Sequence, residues 1–404
     1  MIHRIEIENF YSIRERQVLD LRIPKTTPDD RRFPPSLSDP EVRLPTVVAF
    51  YGANASGKST VLRALTSAIW FAARSFDDLG ADAAVTGFAP FQSATEVTKP
   101  TRIAIEFDAA WVDDRQRRHR YELEFTNNGP GHPRAVAREA LRYAPEKKFV
   151  RIFERRGREV LPGKVLGLRR DDPRLLVRDN ASVIATLAKF GHPLAARIQG
   201  ELNATQTNYL HYGRRRVDEK VLFRMLVERP EVLDELNRQL RRIDVGLDLM
   251  EIQQGMDGHV ALFRHKGLDG FLPYGIESSG TRTFIEHWPM LRYALQNGQP
   301  AFFDELDADL HALLLPEILR WFHDTRPDKH GNPGDNAHRA QLFLTSHNPG
   351  LLLELEKEEI FFTEKDGTGA TQLYGARDIR GLRRDPSLWR KYLGGVFGAV
   401  PQIG

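Results

Sequence analysis

The chain has 404 residues, 41% of them hydrophobic and 28% charged, which excludes a disordered or fibrous protein and, at ~150 residues per domain, leaves room for two or three domains. Its 58 Lys and Arg against 55 Asp and Glu give a net charge of +3, a balance that does not by itself indicate a polyanion partner. The absence of cysteine excludes disulfides, thiolate-held metals and thiol catalysis and fits a reducing cytoplasm, and the charged N-terminus MIHRIEIENF together with the lack of long apolar runs predicts neither export nor a membrane span.

From the N-terminus, Ile5 and Ile7 and then Val18, Leu19, Leu21 and Ile23 bracket the polar SIRERQ, the pattern of two strands in a hairpin or meander. Six prolines between Pro24 and Pro45 break every period, so this stretch reads as a surface loop. Thr46 to Tyr51 is an apolar, β-branched run of buried-strand type, followed by GANASGKST and an amphipathic stretch with Val61, Leu62, Leu65, Ala68 and Ile69. The order is strand, glycine loop, helix. Residues 101–156 carry the strand-like TRIAIEF, YELEF, ALRYAP and KFVRIFERR with turns such as TNNGPGHP, which predicts an antiparallel sheet. Residues 173–245 turn helical, with Val217–Arg229 and Glu231–Ile243 as two helices separated by Pro230. From 271 onward PAFFDE, QLFLTSH and EIFFTEK read as strands and Leu310–Phe322 as a helix.

Gly52 to Ser59 matches G-x-x-x-x-G-K-[ST] in full and in the required context, after a strand and before a helix. Glycines 52 and 57 allow the backbone to aim successive N–H groups at phosphate oxygens, with Asn54 in the same loop, while the helix N-terminus adds positive potential. Lys58 is expected to reach the β- and γ-phosphates and Ser59 to offer its hydroxyl to Mg²⁺, with Thr60 beside it at the start of the helix. PAFFDE ends an apolar strand in two carboxylates, at the edge where open α/β sheets hold ligands. Asp304 is expected to hold Mg²⁺ and Glu305, pointing elsewhere, to polarise an attacking water. QLFLTSH ends its strand on His347, a candidate sensor of the γ-phosphate if the strands of 46–51, 300–305 and 341–347 are parallel. Glu277-Ser278-Ser279-Gly280-Thr281-Arg282 is a polar turn before a helix expected near Thr283, and read alone it is an ordinary N-cap.

The order of phosphate loop, ESSGT turn, strand-DE and strand-SH resembles the ATP-binding-cassette head of the structural-maintenance-of-chromosomes and recombination-repair ATPases. RIEIENFYSIRE, FFDELDADLH and KYLGGVFGAVP are more narrowly similar to the stand-alone AAA-type ATPases of bacterial abortive-infection and anti-phage systems, relatives of the overcoming-lysogenization-defect family. The resemblance implies an α/β fold, an ABC-type P-loop head with a mixed sheet and flanking helices plus an inserted, mostly helical subdomain. It divides the chain into an N-terminal lobe (1–107), strands and a helical insertion (108–270) and a C-terminal lobe (271–404). It also implies ATP and Mg²⁺, with Ser278 and Gly280 capping a γ-phosphate bound on the opposite protomer and Asp307 as a carboxylate at the dimer interface. Ser279 departs from the transporter-type signature, which has a second glycine there; Gln92 in PFQSATE stands as the glutamine-lobe candidate or as a loop glutamine.

Two functions fit. One is a cytoplasmic ATPase switch, a homodimer or higher homo-oligomer through its ATP sites, that controls a separately encoded toxin or nuclease in phage defence. The other is a repair or recombination ATPase that binds DNA through the Arg clusters at 115–120, 151–158, 214–216 and 383–390, clusters that solvated strand ends and loops also produce.

Overall fold

The computed structural model describes residues 1–126, 135–214, 217–244, 246–327 and 334–380 and the single positions 382, 390, 392 and 394. The TNNGPGHP turn beyond Thr126, Arg215 and Arg216, the 383–390 cluster short of Arg390 and most of KYLGGVFGAVP lie outside the described residues.

In chain order, β1 (Ile2–Glu8) and β2 (Gln17–Asp20) form the expected hairpin with Ile5 opposite Leu19. The Pro24–Pro45 stretch has no helix or strand, yet it is not wholly superficial, because Phe33 and Leu44 are fully buried. β3 (Val47–Tyr51) leads through the glycine loop into α1 (Lys58–Asp78). Then come β4 (Thr101–Ala110), β5 (Gln116–Phe125), β6 (Val136–Ala144), β7 (Val150–Arg156) and β8 (Glu159–Pro162). With the first hairpin they make a seven-stranded antiparallel sheet in the order β2-β1-β4-β5-β6-β7-β8.

Helices α2 (Val183–Lys189) and α3 (Pro193–Asn203) precede three two-residue strands, β9 (Gln206–Thr207), β10 (Tyr209–Leu210) and β11 (Gly213–Arg214). The two expected helices follow as α4 (Glu219–Glu228) and α5 (Pro230–Ile243). Pro230 opens the second helix instead of standing between the two, since a fixed φ and a missing N–H cost nothing at a first helical position. β12 (Leu247–Gly255), β13 (Gly258–His265) and β14 (Phe271–Pro273) form a small antiparallel sheet, its first two strands in the part of 108–270 expected to be a helical insertion.

The chain ends as α6 (Ser279–Asn297), β15 (Pro300–Phe303), α7 (Leu314–His323), β16 (Gln341–Thr345), β17 (Ile360–Lys365) and β18 (Thr371–Gly375). Two helix starts differ from expectation. α6 begins at Ser279 because the Ser278 hydroxyl accepts from the Thr281 N–H, so the ESSGT residues are the cap and first turn. α7 begins at Leu314 because the chain after β15 turns through left-handed Glu305 (φ +50°) and Asp309 (φ +65°), which no helix accommodates.

The second large sheet runs β18-β17-β3-β16-β15-β9, parallel except for the edge strand β18, and its side chains divide by the two-residue period. Val48, Phe50, Phe302, Phe343 and Phe361 join a core with α1, α2, α3 and the antiparallel sheet. Val47, Ala49, Tyr51, Ala301, Phe303 and Leu342 join a second core with α4, α5, α6, α7 and the three-stranded sheet. A sheet covered on both faces explains why β3 and β16 are buried at every residue.

In the antiparallel sheet, fully buried His119 is packed against Phe107 and Trp111, and its Nδ1–H donates to the Arg117 carbonyl at 2.9 Å. Burial pushes its pKa down to about 4. Below the unfolded value of ~6.5 the unfolded chain takes up a proton that the folded chain refuses, so stability present above that pH is lost as pH falls toward 4. His119→Phe keeps the packing and removes the proton site. Urea titrations from pH 7 to pH 5 are expected to show the wild type losing stability relative to this variant, approaching a limit of about 3 kcal/mol near pH 4.

Candidate functional site

The phosphate loop follows from the burial of β3. The chain leaves that strand, turns through left-handed Ala55 (φ +61°) and Gly57 (φ +117°), and enters α1 with Gly57 at its N-cap. A Cβ on Gly57 would fall inside the Thr371 side chain, and one on Gly52 would strike the Thr363 carbonyl, so both glycines answer to close packing as well as to the turn. The β17–β18 hairpin supports the loop from behind: Thr371 Oγ1 donates to the Ser56 carbonyl at 2.7 Å, and the Ser56 and Thr363 hydroxyls are 2.6 Å apart. Lys58 is buried, its Nζ donating to the carbonyls of Gly52 (2.8 Å) and Ala53 (3.0 Å). Burial lowers its pKa, while the facing charges of Asp304, Glu305 and Asp307 act in the opposite direction.

Parallel pairing of β15 with β16 and of β16 with β3 brings the residues after all three strands to one edge. There the buried Asp304 Oδ1 accepts from Ser59 Oγ and from Thr345 Oγ1, each at 2.8 Å. Thr345 Oγ1 in turn accepts from the Glu305 N–H at 2.7 Å. Asn208 clasps the main chain of Asp304, its Oδ1 accepting from the N–H (2.8 Å) and its Nδ2 donating to the carbonyl (3.1 Å). The left-handed turn at Glu305 sends its side chain away from that of Asp304, and its Oε2 accepts from Arg214 Nη2 at 2.6 Å. The resulting open cleft of about 810 Å³ is lined by Asn54, Lys58, Ser59, Gln92, Glu305 and His347, with Gly57 and Thr60 in its wall and Tyr11 and Phe91 adding aromatic surface. Gln92 Nε2 donates to the Pro90 carbonyl at 2.9 Å.

Five expected site residues do not line this cleft: Gly52 and Asp304, which are hydrogen-bonded to its Lys58 and Ser59, and Ser278, Gly280 and Asp307. Ser278 and Gly280 line a separate cavity of about 870 Å³ at the N-terminus of α6, together with Asp309 and Asp244. Thr281 Oγ1 donates to Asp244 Oδ2 there at 2.8 Å, and a Cβ on Gly280 would meet the Asp309 carbonyl, so the turn is packed against the chain that follows β15. Asp307 faces its own chain: Oδ2 accepts from Ser346 Oγ (3.0 Å), His347 N (2.7 Å) and Asn348 N (2.8 Å), which shapes the turn presenting exposed His347. Sequence reasoning missed Asn208, Arg214 and the role of Thr345. Thr345 could have been found as the polar residue closing β16, whereas nothing in the spacing of Asn208 or Arg214 ties them to Asp304.

The arginines at 115–120 and 151–158 are largely neutralised by the protein itself. Arg120 pairs with Glu6, Glu106 and Glu122, Arg117 with Asp113, Arg156 with Glu154, Arg158 with Asp179, and buried Arg155 with Glu139. Although burial alone would raise it, Arg120, Arg138 and Arg142 hold the Glu122 carboxyl down to about 2.

The cleft fits a nucleoside triphosphate with Mg²⁺. Ser59 Oγ and Asp304 Oδ1 are hard oxygen donors of the kind Mg²⁺ shares with phosphates and water, and the glycine loop is a cradle that side chains would fill.

A family profile described as "AAA domain, putative AbiEii toxin, Type IV TA system" matches residues 47–354. The search of curated proteins finds no match. Among solved structures the chain is similar to the SMC head domain from Thermotoga maritima, at 12% identity and a TM-score of 0.41, with 93% of this chain and 98% of that one covered.

Replacing Lys58 by Ala removes the cation expected to meet the phosphates, and losing one charge-assisted contact of ~1.5–3 kcal/mol is expected to weaken ATP binding ~10- to 150-fold. Calorimetry on Lys58→Ala checks this, and in the same assay Asp304→Ala is expected to lose the Mg²⁺ dependence of binding.

Proposed function

The chain belongs to the AAA-domain family of the AbiEii toxin, type IV toxin–antitoxin group, and from that membership we propose that it binds and hydrolyses ATP as a nucleotide-dependent dimer and so controls a separate toxin or nuclease effector. The observation that carries the reading is the junction of Ser59, Asp304 and Thr345 beside Lys58, which joins a phosphate loop to a strand-end carboxylate at one sheet edge.

In this reading the loop N–H groups and Lys58 bind the phosphates, with Gly52, Asn54 and Gly57 in the loop, Thr60 in the first turn of α1, and Gln92 also lining the cleft. Ser59 and Asp304 hold Mg²⁺, which when bound supplies neutralisation of phosphate charge. Glu305 accepts a proton from the attacking water, and His347, fixed in its turn by Asp307, contacts the γ-phosphate. Ser278 and Gly280 serve the site of a second copy. Their cavity lies apart from their own chain's cleft and opens at a helix N-terminus, where an anion is favoured, and this separation supports a shared site. Among the described residues no helix is long and apolar enough to cross a membrane. The effector reading rests on the toxin–antitoxin description of the family.

Glu305→Gln is expected to retain ATP affinity while turnover falls ~10²- to 10⁴-fold. With ATP and Mg²⁺ this variant is expected to sediment as a dimer, or as dimer contacts within a larger assembly, and adding Ser278→Arg is expected to abolish that species. Analytical ultracentrifugation with and without nucleotide makes the test. Assembly indifferent to nucleotide, together with wild-type turnover of Ser278→Arg, would return residues 277–282 to a helix cap.

A further inference from the structure

Glu305 lies two residues beyond the end of β15, so its own strand cannot hold its carboxylate in place. The structure fixes it from outside. Its N–H is taken by Thr345, its backbone is set at φ +50°, and its carboxylate is met by Arg214 from β11. Arg214 Nη2 reaches Glu305 Oε2 at 2.6 Å and the Asp304 carbonyl at 3.2 Å, so one nitrogen spans both residues of the strand-end pair.

The segment carrying Arg214 is anchored on two sides. Asn208 clasps the Asp304 main chain, and the Tyr209 hydroxyl accepts from Arg63 Nη2 at 2.6 Å. Arg63 lies on α1 with its guanidinium 4.5 Å from the ring centre of Tyr11, which lines the nucleotide cleft. The guanidinium of Arg214 is therefore supported from both the phosphate-loop helix and the carboxylate strand. Its ion pair with Glu305 is about half exposed, with side-chain exposures of 47% and 42%, and pairs of that kind add little to folding stability. Orientation explains the arrangement better than stability does.

We propose that Arg214 is a positioning residue for ATP hydrolysis: it engages Glu305 Oε2 and thereby fixes the carboxylate at the edge of the cleft, where the attacking water must meet it. This rests on the reading of Glu305 as the base. It follows the logic of a base oriented by a third group, here an arginine supplied by the segment between the helices of the middle region and not by any of the four motifs.

The test compares wild type, Arg214→Ala, Arg214→Lys, Glu305→Gln and the Arg214→Ala/Glu305→Gln double variant in steady-state phosphate release, with ATP affinity by calorimetry and thermal melting alongside. Arg214→Ala is expected to lower kcat ~10- to 100-fold, the scale of misplacing a catalytic group, with ATP Kd and melting temperature unchanged. Arg214→Lys is expected to recover part of kcat. In the Glu305→Gln background the arginine substitution is expected to cost nothing further, because the two act as one unit. Wild-type or raised turnover of Arg214→Ala, a loss of ATP affinity, or a loss that multiplies with that of Glu305→Gln would overturn the proposal. Wild-type turnover of Glu305→Gln alone would instead remove the base reading, and the proposal with it.

Discussion

One oxygen atom organises the candidate site. Asp304 Oδ1 accepts from Ser59 at the start of α1 and from Thr345 at the end of β16, and so ties the ends of β3, β15 and β16 together across the sheet edge. The pairing constrains everything around it: Thr345 passes the constraint to the Glu305 backbone, and Asn208 locks the Asp304 peptide groups that the strand ladder leaves behind. The two hydroxyl donors offset part of the cost of burying this carboxylate, and either could give way to a cation. In the proposed function the same atoms would serve the fold and a metal-phosphate ligand.

The edge can be this exacting because the sheet behind it is rigid. Side chains of β3, β15, β16 and β17 alternate between two dry cores, so a shift of any strand by one residue would exchange its whole apolar set. The antiparallel sheet adds a different restraint on its outer side, a lattice of Arg–Glu pairs around Arg120, Glu122, Arg138, Arg142 and Glu154. Within that lattice Arg120, Arg138 and Arg142 find their counter-charges in the chain itself.

The ESSGT turn and the phosphate loop line different cavities. Within its own chain Asp307 accepts three donors at Oδ2 and shapes the His347 turn. The residues that follow β15 thus reach both cavities: Glu305 and, through Asp307, His347 line the first, and Asp309 packs on Gly280 at the second.

Local chemistry determined what the sequence alone could disclose. The loop at 52–59, the apolar strands ending in Asp304–Glu305 and in His347, and the α/β class were all legible because each depends on a short window: glycine where the turn and packing demand it, unbroken apolar runs where a strand is covered on both faces. The start of α6 was misjudged by a few residues because a cap and a first helical turn look alike until the Ser278 hydrogen bond is seen. What only the tertiary structure decided is pairing across long separations. Asn208 and Arg214 reach residues 304 and 305 through a two-residue strand with no periodicity to read, and Asp307 finds its donors forty residues on, because those contacts are set by which strands lie side by side, a property of the folded sheet that no local spacing encodes.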